Sequence, residues 1–167
     1  MTNNNRPLWA PWRIDFIRSE KEKECFLCID TTDKTGDFDN LIIARGKEIF
    51  VILNRYPYNS GHIMISPYRH IGDISEMTKS ERYEMMDLTV YAKTVLTNVL
   101  NPDGFNVGFN LGTAAGAGVA DHIHMHIVPR WNGDTNFMPV LAGIHVVPES
   151  LNDTLKLLIA EWKKGEK

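Results

Sequence analysis

Between Asp121 and Arg130 the chain reads Asp-His-Ile-His-Met-His-Ile-Val-Pro-Arg, with His122, His124 and His126 alternating with Ile123, Met125 and Ile127. Strict period-two alternation predicts a half-buried strand over 122–128. On a strand, residues i, i+2 and i+4 share a face about 7 Å apart from one to the next, so three imidazoles line one surface. Packing gives no reason for such a row: each ring needs hydrogen-bond partners, and none fills space as well as Ile or Met. The row is predicted to be a chemical site.

The flanking sequence supplies further strands and two helices. Leu41–Arg45 and Ile49–Asn54 are short apolar segments around Gly46-Lys47 and predict a hairpin. Tyr56-Pro57-Tyr58-Asn59-Ser60-Gly61 is turn chemistry leading into a strand at His62–Ser66. Gly104–Asn110 alternates Phe105, Val107 and Phe109 with Asn106, Gly108 and Asn110, a fourth strand with one polar face. The triad segment is the fifth, and it pairs with the fourth if the Gly/Ala-rich stretch 111–120 turns the chain back. Thr78-Lys79-Ser80-Glu81 fits a capping box, after which Met85, Leu88, Ala92, Val95, Leu96 and Val99 recur at helical spacing to Leu100. A closing helix is predicted over Ser150–Trp162, with Leu151, Leu155, Leu158 and Trp162 inward. Runs of strands broken by one long helix predict an α+β fold with a five-stranded antiparallel sheet.

At 167 residues the chain fits one domain, 1–167, with an aromatic N-terminal arm (1–24) and a C-terminal extension (131–167). Lys+Arg 18 against Asp+Glu 21 leaves a net charge of −3, which gives no polybasic footprint for nucleic acid. A small phosphorylated ligand needs only a few placed cations. The start lacks a signal-peptide layout and no apolar run approaches a membrane span, so a cytoplasmic protein is expected, with no membrane partner.

Cys25-Phe26-Leu27-Cys28 holds both cysteines. A charged run, 20–24, precedes it where a thioredoxin-type site wants a buried strand, so half a zinc site is favoured, two histidines completing it. Alternate histidines on a strand also suit a catalytic metal, and spacing alone leaves open which histidines ligate. In the non-metal reading, the central ring His124 is a nucleophile toward phosphorus. Its other nitrogen is held by a backbone carbonyl, and His126 contacts the leaving or bridging oxygen. The Gly112–Gly118 loop, Gly116 and Gly118 included, offers backbone N–H groups to phosphate oxygens, but it lacks the Gly-Lys-Ser/Thr ending of a P-loop. Asn110 is a candidate phosphate or ribose contact. Arg55, Arg69 and Arg130 are candidate polyphosphate ligands, and His145 is read as structural.

The row His122–Arg130, with Asn54-Arg55-Tyr56-Pro57 and Gly61-His62-Ile63-Met64-Ile65-Ser66-Pro67, resembles the histidine-triad superfamily of nucleotide hydrolases and transferases over roughly residues 25–130. The resemblance implies a homodimer and attack by His124 on the α-phosphorus of a nucleotide, giving a nucleotidyl-histidine intermediate. It implies that Asn54 contacts the ribose, that His62 supports the triad, and that zinc is held by Cys25, Cys28, His70 and His122, with no organic cofactor. Leu8–Arg13 and Trp131–Pro139 are similar to the prokaryotic branch of diadenosine tetraphosphate phosphorylases, which split the dinucleotide with inorganic phosphate into ADP and ATP. Many small triad hydrolases carry Gln then Ser or Thr where this chain has Gly118 and Val119, so their leaving-group contacts do not transfer. The expected function is therefore phosphate-dependent nucleotidyl transfer, with catalytic His124, His126, His62 and His122. The alternatives are a hydrolase of dinucleoside polyphosphates or adenosine phosphoramidates, and a nucleotide-binding regulatory module without turnover.

Overall fold

The structure is a computed structural model that describes residues 25–134 and 150–165. Five strands, β1 (Ile42–Arg45), β2 (Ile49–Leu53), β3 (Ile63–Pro67), β4 (Gly104–Phe109) and β5 (Met125–Arg130), form one antiparallel sheet in the order β1-β2-β3-β5-β4. Helix α1 (Lys79–Leu100) and helix α2 (Leu151–Trp162) pack with it. The α+β architecture expected from the sequence is the observed one. Neither helix is long and apolar enough to cross a membrane.

Local chemistry places each element. The Thr78 hydroxyl accepts the Glu81 N–H and the Glu81 carboxylate accepts the Thr78 N–H, the reciprocal cap that satisfies two otherwise orphaned donors at the start of α1. Met85, Ala92, Val95 and Leu96 bury the inner stripe, and Asn101 ends the helix in a left-handed conformation. Ser150 caps α2, whose Leu155, Leu158 and Trp162 are buried in the same core. Strands β2 and β3 are buried along their whole length, because β1 and β5 flank them and α1 covers them. Strand β4 is one of the two edges, and its apolar row is only partly covered: Phe105 and Phe109 pack on the core, whereas Val107 is 50% exposed.

The triad segment departs from the expected strand at its start. Regular pairing begins at Met125, and His122, Ile123 and His124 approach the sheet without ladder bonds. Extending the β3–β5 register from Ile65↔Met125 sets Pro67 opposite Ile123, and proline has no N–H to donate. Ser66 Oγ donates to the Ile123 carbonyl instead at 2.9 Å, and the Ile123 N–H donates to Ile71 O at 2.7 Å. The segment is thus held by a hydroxyl and a loop. Nor is it half-buried: His122 and His124 are buried along with Ile123 and Met125.

Candidate active site

The three rings of the row occupy three different environments. His122 is fully buried, and its Nε2–H donates to the Pro67 carbonyl at 2.8 Å. That bond leaves the Nδ1 lone pair facing Cys25 Sγ at 3.4 Å and Cys28 Sγ at 3.6 Å, while His70 Nδ1 lies 3.2 Å from Cys28 Sγ. One donor atom from each of these four residues falls within 4.8 Å of the others. A tetrahedral zinc with sulfur and nitrogen ligands at ordinary bond lengths has S···N edges of about 3.5 Å, so the donor set fits that ion. The carbonyl that orients His122 is the outer partner such a ligand requires. Burial, and next the neighbouring Cys25 thiol, push the Cys28 thiol up, so two adjacent thiolates are disfavoured without a cation. Leu27, buried between the two cysteines, anchors their loop in the core.

His124 is turned the other way. Its Nδ1–H donates to the His122 carbonyl at 2.8 Å, which fixes the tautomer and leaves Nε2 as the nitrogen with a lone pair. Burial holds its pKa below the ordinary imidazole value despite that bond, so the ring is neutral near pH 7. The carbonyl that carries this bond belongs to the residue whose ring faces the cysteines. Metal cluster and nucleophile candidate therefore share one residue.

The proton on His126 follows from a chain of bonds. The Tyr58 N–H donates to His62 Nδ1 at 3.1 Å, so the neutral His62 carries its proton on Nε2. That Nε2–H donates to His126 Nδ1 at 2.9 Å, so His126 in turn carries its proton on Nε2. Among the described residues His126 Nε2 is the buried side-chain nitrogen with no partner. Burial pushes His62 down to about 3 and His126 to about 4, with neighbouring rings adding to both. The rings of His124 and His126 meet edge to face with centroids 4.9 Å apart. One bare nitrogen and one N–H donor stand side by side.

A cleft of about 420 Å³ opens beside His126, walled by Tyr58, Asn106, Gly108, Asn110, Val128 and Arg130 among others. Asn110 is thus brought to the site. Asn54 lies against His62, with Nδ2 3.2 Å from Nδ1, while its Oδ1 accepts the Tyr56 N–H at 2.9 Å. Gly116 and Gly118 stand outside the cleft walls. The Gly116 N–H donates to Thr113 O, and Gly116 takes a left-handed conformation (φ 87°) that closes a short 3-10 turn at Thr113–Ala115. Gly112, Thr113 and Asp121 instead line a second, open depression with His70. Of the candidate arginines, Arg69 is committed to the capping carboxylate of Glu81 at 2.7 Å, Arg55 reaches Asp39 O at 3.4 Å, and Arg130 pairs with Asp134 at 2.6 Å in the cleft wall. The arm motif at 8–13, most of the 131–139 motif and His145 fall outside the described residues.

Sequence reasoning missed Tyr58 and the pair Asn59 and Asp134. The Tyr58 ring lies 4.7 Å from His62 and 5.9 Å from His126 between centroids, yet in sequence it reads as a turn residue. Asn59 and Asp134 have no local signal, since their contact joins distant parts of the chain.

Residues 35–133 match the family model described as HIT domain. The chain is 40% identical to the AP-4-A phosphorylase of Mycobacterium tuberculosis, the match covering 94% of this chain and 84% of that protein. It is 28% identical to the asymmetrical bis(5'-nucleosyl)-tetraphosphatase of Schizosaccharomyces pombe, over 56% of this chain and 50% of that one. A Zn-bound histidine triad family protein from Mycobacterium smegmatis superposes with a TM-score of 0.62 at 25% identity, covering 75% of this chain and 86% of its own. With the triad, its supporting histidine and the sheet that carries them all in place, the chain belongs to the histidine-triad (HIT) family.

Proposed function

We propose that this protein is a nucleotidyltransferase that cleaves diadenosine tetraphosphate with inorganic phosphate, giving ADP and ATP. The observation that carries the reading is the complementary state of the two adjacent rings: Nε2 of His124 bears a lone pair and Nε2 of His126 a proton. In the first step His124 Nε2 attacks the α-phosphorus and the bond to the bridging oxygen breaks, releasing ATP while the adenylyl group stays on His124. The N–H of His126 donates to the departing oxygen, where charge develops. In the second step an oxygen of inorganic phosphate attacks the same phosphorus, ADP leaves, and His124 regains its lone pair. The 40% identity to an AP-4-A phosphorylase over nearly the whole chain supports phosphate as the acceptor. Asn110 in the cleft wall and Asn54 beside His62 are the proposed nucleotide contacts.

Zinc on Cys25, Cys28, His70 and His122 would fasten the first loop to the triad segment, and the four donors leave no open position for substrate. His122 is accordingly assigned to the metal and to the carbonyl that orients His124. A homodimer is the proposed assembly. Strand β4 is a sheet edge with Val107 half exposed, and Met86 (54%) and Val90 (64%) on α1 leave apolar surface one to two turns from Lys93, which lies over the Phe105 ring.

Incubating the protein with diadenosine tetraphosphate in the presence and absence of phosphate tests the acceptor. ADP plus ATP, formed only with phosphate, is expected. AMP plus ATP without phosphate makes water the acceptor and the protein a hydrolase, and binding without turnover under either condition makes it a regulatory module.

A further inference from the structure

Two turns meet at the mouth of the cleft, and the contact between them is polar and specific. The Asp134 side chain is only 10% exposed. Its carboxylate accepts Arg130 Nε at 2.6 Å and Nη2 at 2.8 Å, the Trp131 N–H at 3.2 Å, and Asn59 Nδ2 at 2.7 Å. The same Asn59 amide donates to the Pro129 carbonyl at 3.1 Å. Asn59 thus ties the turn before β3 to the end of β5, while its own carbonyl accepts the His62 N–H at 3.1 Å. Gly61, left-handed at φ 73°, lets the same turn approach Pro129, Leu96 and Leu100.

What the turn delivers is Tyr58. That residue is 42% exposed, so burial alone does not hold it. Its N–H is nevertheless the donor that selects Nδ1 of His62. Asn54 Nδ2 lies at similar distances from both His62 nitrogens, 3.2 and 3.5 Å, and does not choose between them.

We propose that Asn59 and Asp134 are positioning residues for the His62–His126 pair: by pinning the 58–61 turn to β5 they hold the Tyr58 N–H on His62 Nδ1, and so determine which nitrogen of His126 carries its proton. The contact acts through Tyr58 and touches neither the nucleophile nor the cysteine cluster. It rests on the reading of His126 as proton donor and not on the identity of the acceptor.

Nitrogen-15 histidine NMR of the full chain, without substrate, reads the tautomers directly. In the parent protein His62 and His126 each show the Nε2–H form. Asn59→Ala is expected to turn both into tautomer mixtures and to lower kcat about ten- to a hundredfold with KM within about threefold, as misplacement of a proton donor does. Asp134→Asn retains an oxygen for the Asn59 amide and is expected to keep the parent tautomers. Unchanged tautomers in Asn59→Ala, or in Asp134→Ala, which removes the carboxylate that holds the Asn59 amide, overturn the proposal. If Asn59→Ala does not fold, Asn59→Ser, too short to reach Asp134, gives the same two readings. Because the NMR measurement needs no substrate, it stands even if phosphate fails as the acceptor.

Discussion

The three histidines of the row differ because each ring's second nitrogen is spoken for by a different group. Pro67 O takes His122, the His122 carbonyl takes His124, and His62 takes His126. Alternation announced a row of rings, and a backbone carbonyl was expected on the second nitrogen of His124, as found; which carbonyl it is, and that Pro67 O and His62 take the other two rings, had no residue-type signature. Tyr58 acts through its backbone N–H, which any residue but proline carries, and was invisible for the same reason. A consequence for pH follows. His62 and His126 titrate at about 3 and about 4 in the fold, against about 6.5 for a free imidazole. Above that value the rings are neutral in both states and contribute no pH dependence. As pH falls from about 6.5 toward 3 the unfolded chain takes up protons that the fold refuses, so stability declines over this window. Urea midpoints should therefore drop between pH 7 and pH 4, and drop less in His126→Gln. An equal drop in parent and variant would show that this ring is not buried neutral.

At the scale of elements, the helices were the most legible. Thr78 and Glu81 mark the start of α1 by side-chain chemistry that acts within four residues, and Ser150 does the same for α2. The hairpin β1–β2 and the pairing of β4 with β5 across the glycine-rich stretch were also readable from local pattern. The start of β5 was not. It depends on Pro67 standing opposite Ile123, a register set by the whole β3–β5 pairing. The Gly116 N–H was likewise expected to face phosphate, yet it closes the loop's own turn. Gly61 gives a test at this scale. Alanine there meets a φ of 73° and a Cβ that would collide with Leu100 Cδ1. Gly61→Ala should destabilise the fold by about 1–3 kcal/mol in denaturant titration. A loss within about 0.5 kcal/mol, typical of an inert surface change, would mean that the turn does not depend on its glycine.

Across the whole molecule, one residue couples the two chemically distinct centres. His122 presents its ring to Cys25, Cys28 and His70 and its carbonyl to His124, so a metal held by the cluster would be linked to the aim of the proposed nucleophile. The cysteine pair suggested half of a metal site and the family resemblance named His70 and His122 as the other half; the fold brings these two to the cysteines from parts of the chain 42 and 94 residues beyond Cys28. Chelation should lower Tm and release about one zinc per chain, and Cys25→Ser should lower the zinc content measured by atomic emission. Full zinc content in Cys25→Ser would remove that cysteine from the site. If His124 carries the nucleotide between donor and acceptor, the stereochemical course at the α-phosphorus records it. With a substrate chiral at that phosphorus through sulfur and isotopic oxygen, two successive in-line displacements predict overall retention in the ADP analogue. Inversion would mean a single direct attack by the acceptor, and would contradict a nucleotidyl intermediate on His124.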